Sequence, residues 1–118
     1  MGDGPWTVDD YRTLQGRRPV RDFLRKLSED ARAKVTAALD MLALLGHQVK
    51  LPLSRALGSG LFEIRVKHPE GPFRIMYCFR SGKRVILLHA FVKKTEQTPK
   101  ADLDLAKTRK RDLDVREG

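Results

Sequence analysis

From residue 61 onward apolar and charged side chains alternate. In LFEIRVK, Phe62, Ile64 and Val66 fall on one side and Glu63, Arg65 and Lys67 on the other, and a period of two predicts a strand with one buried face. FRIMYCFR repeats the pattern, with Phe73, Ile75, Tyr77 and Phe79 opposite Arg74, Met76, Cys78 and Arg80. HPEGP between them reads as a turn, and Ser81-Gly82 suits a tight hairpin. KRVILLHAFV then predicts a strand apolar on both faces, as a central strand would be, and antiparallel pairing is the economical arrangement.

Upstream the period is helical. Pro19 opens a helix carrying Val20, Phe23, Leu24 and Leu27. Ser28 caps a second, with Ala31, Val35, Ala38, Leu39, Leu42 and Leu45 on one face, and Gly46 stops it,. Before these, PWTVDDYRTLQG predicts an edge strand around Trp6, Thr7, Val8 and Tyr11, ended by Gly16. HQVKLPLSRALGSG reads as a connector anchored in the core by Leu51, Leu53 and Leu57. After Lys94, Thr98 as N-cap and Pro99 in the first turn predict a charged helix to about Val115. Its apolar stripe, Ala101, Leu103, Leu105, Ala106 and Leu113, is thin. The order (β)ααβββα predicts an α+β fold: two N-terminal helices packed on one face of a small antiparallel sheet, with a C-terminal helix.

At 118 residues the chain suits one domain over residues 1–118, with flexible ends at 1–5 and 116–118,. The lone Cys78 excludes an internal disulfide and fits a reducing compartment, the cytoplasm by default. The longest apolar run, residues 85–92, is interrupted by His89 and is far short of the roughly 20 residues a membrane helix needs. The opening Met1-Gly-Asp-Gly is no signal peptide. No membrane association is expected.

Charge changes the picture more. The net +9 is concentrated: residues 31–60 hold four basic and one acidic side chain and residues 61–94 hold eight and two, whereas 1–30 and 95–118 are each balanced at six and six. A basic middle predicts a surface that meets a polyanion, nucleic acid before an acidic protein or an anionic membrane, although basic residues also merely confer solubility.

One cysteine and the scattered His47, His68 and His89 lack any metal-ligand spacing, and the GSG at 58–60 lacks the lysine and helix of a phosphate loop. No metal or cofactor is expected. By strand parity Arg65, Lys67 and Arg74 share the face opposite the aromatic one, where guanidinium groups can bind phosphates bidentately; charged residues at alternate strand positions also simply face water. His89, in parity with Phe91 and Lys93, suits proton transfer or is a hydrogen-bonded core histidine. Lys93 and Lys94 end their strand as phosphate ligands or as charges that discourage edge pairing. Glu63 is a base or a neutraliser of a neighbouring arginine.

The segments GRRPVRDFLRKL, LSRALGSGLFEIRVK, PFRIMYCF and VILLHAFVKKTEQTP and the basic last helix, in that order over residues 16 to about 112, resemble RelE/HigB-type toxins of bacterial type II toxin-antitoxin systems, in the phage Gp49-like branch. HAFVKKTEQTP is the most specific element; FRIMY is shared more widely across the RelE/ParE superfamily. The resemblance implies a ribosome-dependent endoribonuclease that cuts mRNA in the A site by 2′-hydroxyl attack without a metal, and so inhibits translation. It also implies silencing by a cognate helix-turn-helix antitoxin encoded downstream. By position Arg74 matches the phosphate-stabilising arginine, Arg65 a basic residue near the scissile phosphate and Lys94 a second arginine or lysine after the last strand, so the expected catalytic set is Arg74, Arg65, Lys94 and His89. Lys67 and Lys93 join Arg65, Arg74 and Lys94 in RNA binding. The chain lacks the C-terminal tyrosine of RelE, since nothing aromatic follows Phe91, which leaves the general base open between His89, Glu63 and a lysine of lowered pKa. Two alternatives stand beside this reading: a ParE-like inhibitor of DNA gyrase without catalysis, and an inactive module that only binds RNA or antitoxin.

Overall fold

A computed structural model describes residues 4–118. Of the expected flexible N-terminal end, residues 1–3 lie outside the described residues. The elements are β1 (Thr7–Asp10), α1 (Pro19–Arg25), α2 (Glu29–Leu45), β2 (Ser54–Gly58), β3 (Leu61–Val66), β4 (Phe73–Arg80), β5 (Arg84–Val92) and α3 (Lys100–Glu117), with a short 3-10 turn at Gly46–Gln48. The five strands form one sheet in the order β1-β5-β4-β3-β2. This is the expected α+β architecture.

The helix signals act as read. Pro19 takes the first turn of α1. Ser28 Oγ accepts from the Ala31 amide at 3.1 Å and donates to Glu70 at 2.7 Å, tying the start of α2 to the turn after β3. Val20 and Leu24 of α1 and Ala31, Val35, Ala38, Leu39 and Leu42 of α2 meet Ile64, Val66, Phe73, Ile75, Tyr77, Val85 and Leu87 in one core. The edge strand β1 sits beside β5 in parallel, with Val8 opposite Val85, rather than antiparallel. From that edge the chain crosses through both helices to β2 at the opposite edge, and β3, β4 and β5 lead back beside β1,. Buried Asp10 accepts from Arg18, which seats the start of α1 against the strand.

Several expectations are overturned. Residues 54–58 are not connector but strand β2, antiparallel to β3 with a bulge between Ala56 and Gly58. Leu51, expected in the core, is exposed, while Leu53 and Leu57 pack partly buried on opposite faces of the sheet. The helices do not share one face. α3 covers the other, where Leu61, Met76, Cys78, Ile86, Leu88 and Phe91 form a second cluster with Ala106 and Leu113. An apolar sheet face of that extent has to be covered. In α3 itself, Ala101 and Leu105 face solvent, so the apolar stripe is thinner than expected. Polar contacts compensate: Tyr11 donates to Asp112 at 2.6 Å, Arg109 Nη1 to the Leu88 carbonyl at 2.8 Å, and Arg84 to Glu117 at 2.8 Å. The helix runs to Glu117, two residues past the expected end near Val115, with Arg116 donating to the Arg12 carbonyl at 2.6 Å. Thr98 is no cap either: Pro99 holds that position, and the Thr98 hydroxyl turns to the sheet.

A bulge re-aims the middle of β5. Met76 pairs with His89 but Tyr77 with Leu87, so Leu88 is the extra residue. Leu87 and Ala90 both enter the core under α1 and α2, while Leu88 and His89 both turn toward α3. Bulges commonly re-aim side chains in this way. Among the described residues no helix is long and apolar enough to cross a membrane.

Candidate active site

Arg65 of β3 and Arg74 of β4 are directly opposed in the antiparallel ladder, so both side chains leave the sheet on the α3 side,. α3 does not reach them. The second apolar cluster stops at Met76 and Phe91, and beyond it a cleft of about 380 Å³ opens, lined by Pro52, Leu53, Arg65, Lys67 and Arg74. The shared face of Arg65, Lys67 and Arg74 read from strand parity is thus present, but only its end is open.

The guanidinium groups differ in environment. Arg74 is only 6% exposed; its Nη1 donates to its neighbour's Phe73 carbonyl at 3.1 Å, and its Nε is buried without a hydrogen bond among the described residues. Burial pulls its pKa below the ordinary arginine value, against the stabilising pull of Glu63 and with repulsion from Arg65 and Arg55. Its proton nonetheless stays on across the physiological range. Arg65 is half-exposed, with its backbone amide held by the Leu53 carbonyl at 2.8 Å. A cation held near a second cation and partly stripped of water favours any anion that can neutralise both.

The lysines where β5 ends divide. Lys93 is half-buried, fixed through its amide to the Pro72 carbonyl at 2.8 Å, and its pKa is lowered by burial first and by Arg74 second. It therefore belongs electrostatically to the Arg65 and Arg74 pair. Lys94, the next residue, is exposed.

His89 is held apart from the cleft. Its Nε2 is 2.5 Å from Asp102 Oδ1 on α3, its Nδ1 is 3.5 Å from Arg109 Nη1, and its ring stacks on Phe91 with centroids 5.4 Å apart. Both ring nitrogens are engaged, and the residue links α3 to the bulge of β5.

Two participants, Arg55 and Thr98, escape a reading of spacing alone, and both gather on Glu63. Glu63 is completely buried, with Oε1 3.3 Å from Arg55 Nη2 and 3.5 Å from Arg74 Nε. Arg55 enters the cluster only because β2 exists, and Thr98 only because its hydroxyl leaves the cap to meet Arg55 and Glu63. No local signal announces either. The cleft thus presents cations from β3 and β4, with Lys93 after β5 coupled to them electrostatically and one buried carboxylate behind. Such a set can bind a phosphodiester and stabilise charge that grows on phosphorus.

A five-strand sheet with α1 and α2 on one face and α3 on the other thus leaves a cationic cleft open at one end. Residues 22–111 match the family model "Phage derived protein Gp49-like (DUF891)", three quarters of the chain, and the protein belongs to that family, which lies within the RelE/ParE-like toxin superfamily. Membership implies a cognate antitoxin as partner. No curated protein matches the chain.

Proposed function

We propose that this protein is the toxin of a type II toxin-antitoxin pair and that it enters the ribosomal A site and cleaves mRNA there. The observation that carries the reading is the direct opposition of Arg65 and Arg74 at an open cleft, with Lys67 and Lys93 beside them. Like charges directly across a ladder are unfavourable without an anion between them, and a purely protein-binding surface has no need of that arrangement.

In the proposed reaction a ribose 2′-hydroxyl attacks the adjacent phosphorus. Its proton passes to a base, the P–O5′ bond breaks and the departing oxygen takes up a proton. The products are a 2′,3′-cyclic phosphate and a free 5′-hydroxyl. Arg74 and Arg65 bind the non-bridging oxygens and stabilise the charge of the crowded phosphorane-like transition state. Lys93, half-buried and coupled to the Arg74 and Arg65 charges, is the proton carrier in this reading,. Lys67 and Lys94 extend the path of the RNA backbone. His89 acts through α3, whose position it fixes with Asp102. The antitoxin is expected to be a helix-turn-helix protein encoded downstream, with acidic or apolar segments for the basic face.

The test adds wild-type protein and Arg74→Ala to ribosomes carrying a defined mRNA and maps ends by primer extension. Wild type should cut within the A-site codon and Arg74→Ala should cut at least about 100-fold more slowly. Absence of an A-site cut by wild type rejects the reading, and inhibition of DNA supercoiling in its place would point to a gyrase inhibitor.

A further inference from the structure

Glu63 stands in the middle of β3 with no exposed surface at all. A carboxylate there is costly unless cations and donors surround it. Three groups do so, each from a different segment. Oε1 lies 3.3 Å from Nη2 of Arg55 on β2 and 3.5 Å from Nε of Arg74 on β4. Oε2 accepts from Thr98 Oγ1 at 3.4 Å, in the strap of residues 93–99 between β5 and α3. Thr98 Oγ1 also accepts from Arg55 Nη2 at 3.0 Å. One carboxylate therefore touches both neighbouring strands and the strap that carries Lys93 and Lys94.

Stability alone does not account for it. By parity apolar side chains in place of the whole ionic group would extend the cluster of Leu61, Met76 and Cys78 on the same face, and such complete replacements are often neutral or stabilising, whereas an apolar residue at 63 alone would leave Arg74 buried and unpaired,. The contacts are also long for charge-assisted bonds. What the carboxylate does is orient its partners. Arg74 Nη1 is committed to the Phe73 carbonyl and Nε lies 3.5 Å from Glu63 Oε1, which leaves Nη2 as the nitrogen that can meet a ligand.

We infer that Glu63 is a positioning residue: it orients Arg74 and Arg55 and ties the 93–99 strap to the sheet, so that the cations converge on one phosphate, and it exchanges no proton with the RNA. A fully buried side chain held from three directions is unavailable to a 2′-hydroxyl. The kinetic consequence rests on the RNA-cleaving reading; the structural one does not.

Glu63→Gln is nearly isosteric but exchanges one acceptor for an amide that faces guanidinium groups. In single-turnover cleavage on ribosomes it should slow the chemical step about 10- to 100-fold. Affinity for a labelled RNA oligonucleotide should stay within about 3-fold, because the net positive charge has risen, and the acidic limb of the pH-rate profile should persist. Nitrogen-15 NMR of arginine side chains reads the same question without activity: the Arg74 Nε–H signal, assigned by its loss in Arg74→Lys, should move or broaden in Glu63→Gln. An Arg74 signal unchanged in folded Glu63→Gln overturns the inference whether or not the protein cuts RNA. Loss of the acidic limb overturns it in favour of a general base. If wild type does not cut, the cleavage reading fails while the NMR still decides the role of Glu63. Thr98→Val removes one of the three holders without burying new charge and carries the test should Glu63→Gln not fold; it should show the same split between rate and affinity at about 2- to 5-fold, and a wild-type rate with an unmoved Arg74 signal would overturn the inference.

Discussion

Arg65 and Arg74 face each other directly across the β3–β4 ladder, two cations on one side of a sheet at the mouth of the same cleft. Directly opposed like charges destabilise a ladder by up to about 1 kcal/mol, so the fold carries this pair at a cost. Arg65→Thr replaces one cation by a residue with good strand propensity and should raise stability by about 0.3–1 kcal/mol in urea unfolding. The same variant should lose at least about 10-fold in mRNA cleavage. Opposite signs for stability and activity identify a functional pair. A variant that loses both would mean that Arg65 serves the fold.

Lys93 turns the cluster into a pH-dependent one. Its folded pKa lies below the ordinary 10.5, through burial first and the Arg74 charge second. Between that lowered value and 10.5 the unfolded chain binds more protons than the folded one, so this group makes the fold more stable as pH rises through the window. RNA binding runs the other way. A phosphate beside Lys93 favours its charged form, so RNA affinity should be flat near neutral pH and fall as pH rises through the lowered value. Fluorescence anisotropy with a labelled oligonucleotide from about pH 7 to pH 10 reads this directly, and Lys93→Arg, always charged, should abolish the fall. A fall of the same size in Lys93→Arg would assign the titration elsewhere.

Strand parity and helix capping carried much of this arrangement in plain view. Ser28 and Gly46 bound α2 because each acts through its own backbone neighbours, and Arg65 and Arg74 share a face because alternation is a property of the strand itself. What escaped depends on distant partners. β2 carries Ser54, Arg55, Ala56 and Gly58, a polar edge with no alternating signal, and it is a strand only because β3 offers its free side. The placement of α3 opposite the other helices follows from Met76, Cys78, Leu88 and Phe91, whose need for cover is visible only once the β5 bulge is known. Thr98 looked like a cap and instead completes a buried ionic cluster, since Glu63 needs the donor more than the helix does. His89 kept its parity with Phe91, but Asp102, thirteen residues on, decides what it faces.

Cys78 should be chemically silent while the fold is intact. It is fully buried under α3, and burial pushes its thiol up to about 11, so the thiolate is scarce at neutral pH and out of reach of reagents. Reaction with Ellman's reagent should be slow in buffer and should rise in step with unfolding as urea is added. A fast reaction in native buffer would mean that α3 leaves the sheet readily, because Ala106 and Leu113 pack in the same cluster as the cysteine.

Gly46 joins α2 to the rest of the molecule under two separate constraints. Its φ is +55°, and a Cβ placed there would stand 2.1 Å from Trp6 Cε2. Trp6 cannot simply withdraw: its amide donates to the Ala43 carbonyl at 3.0 Å, and its ring is packed against His47 and Phe79 with centroids 5.2 and 5.3 Å away. Gly46→Ala should therefore cost about 2–4 kcal/mol, the left-handed backbone and the collision adding together. Gly58 is the control, since its φ is +90° with nothing within 4 Å of an added Cβ. Gly58→Ala should cost only the backbone part, about 1–2 kcal/mol. Denaturant unfolding of the two variants separates conformational strain from packing. Equal losses would show that Trp6 does not close over the end of α2, and a larger loss at Gly46 locates the indole there.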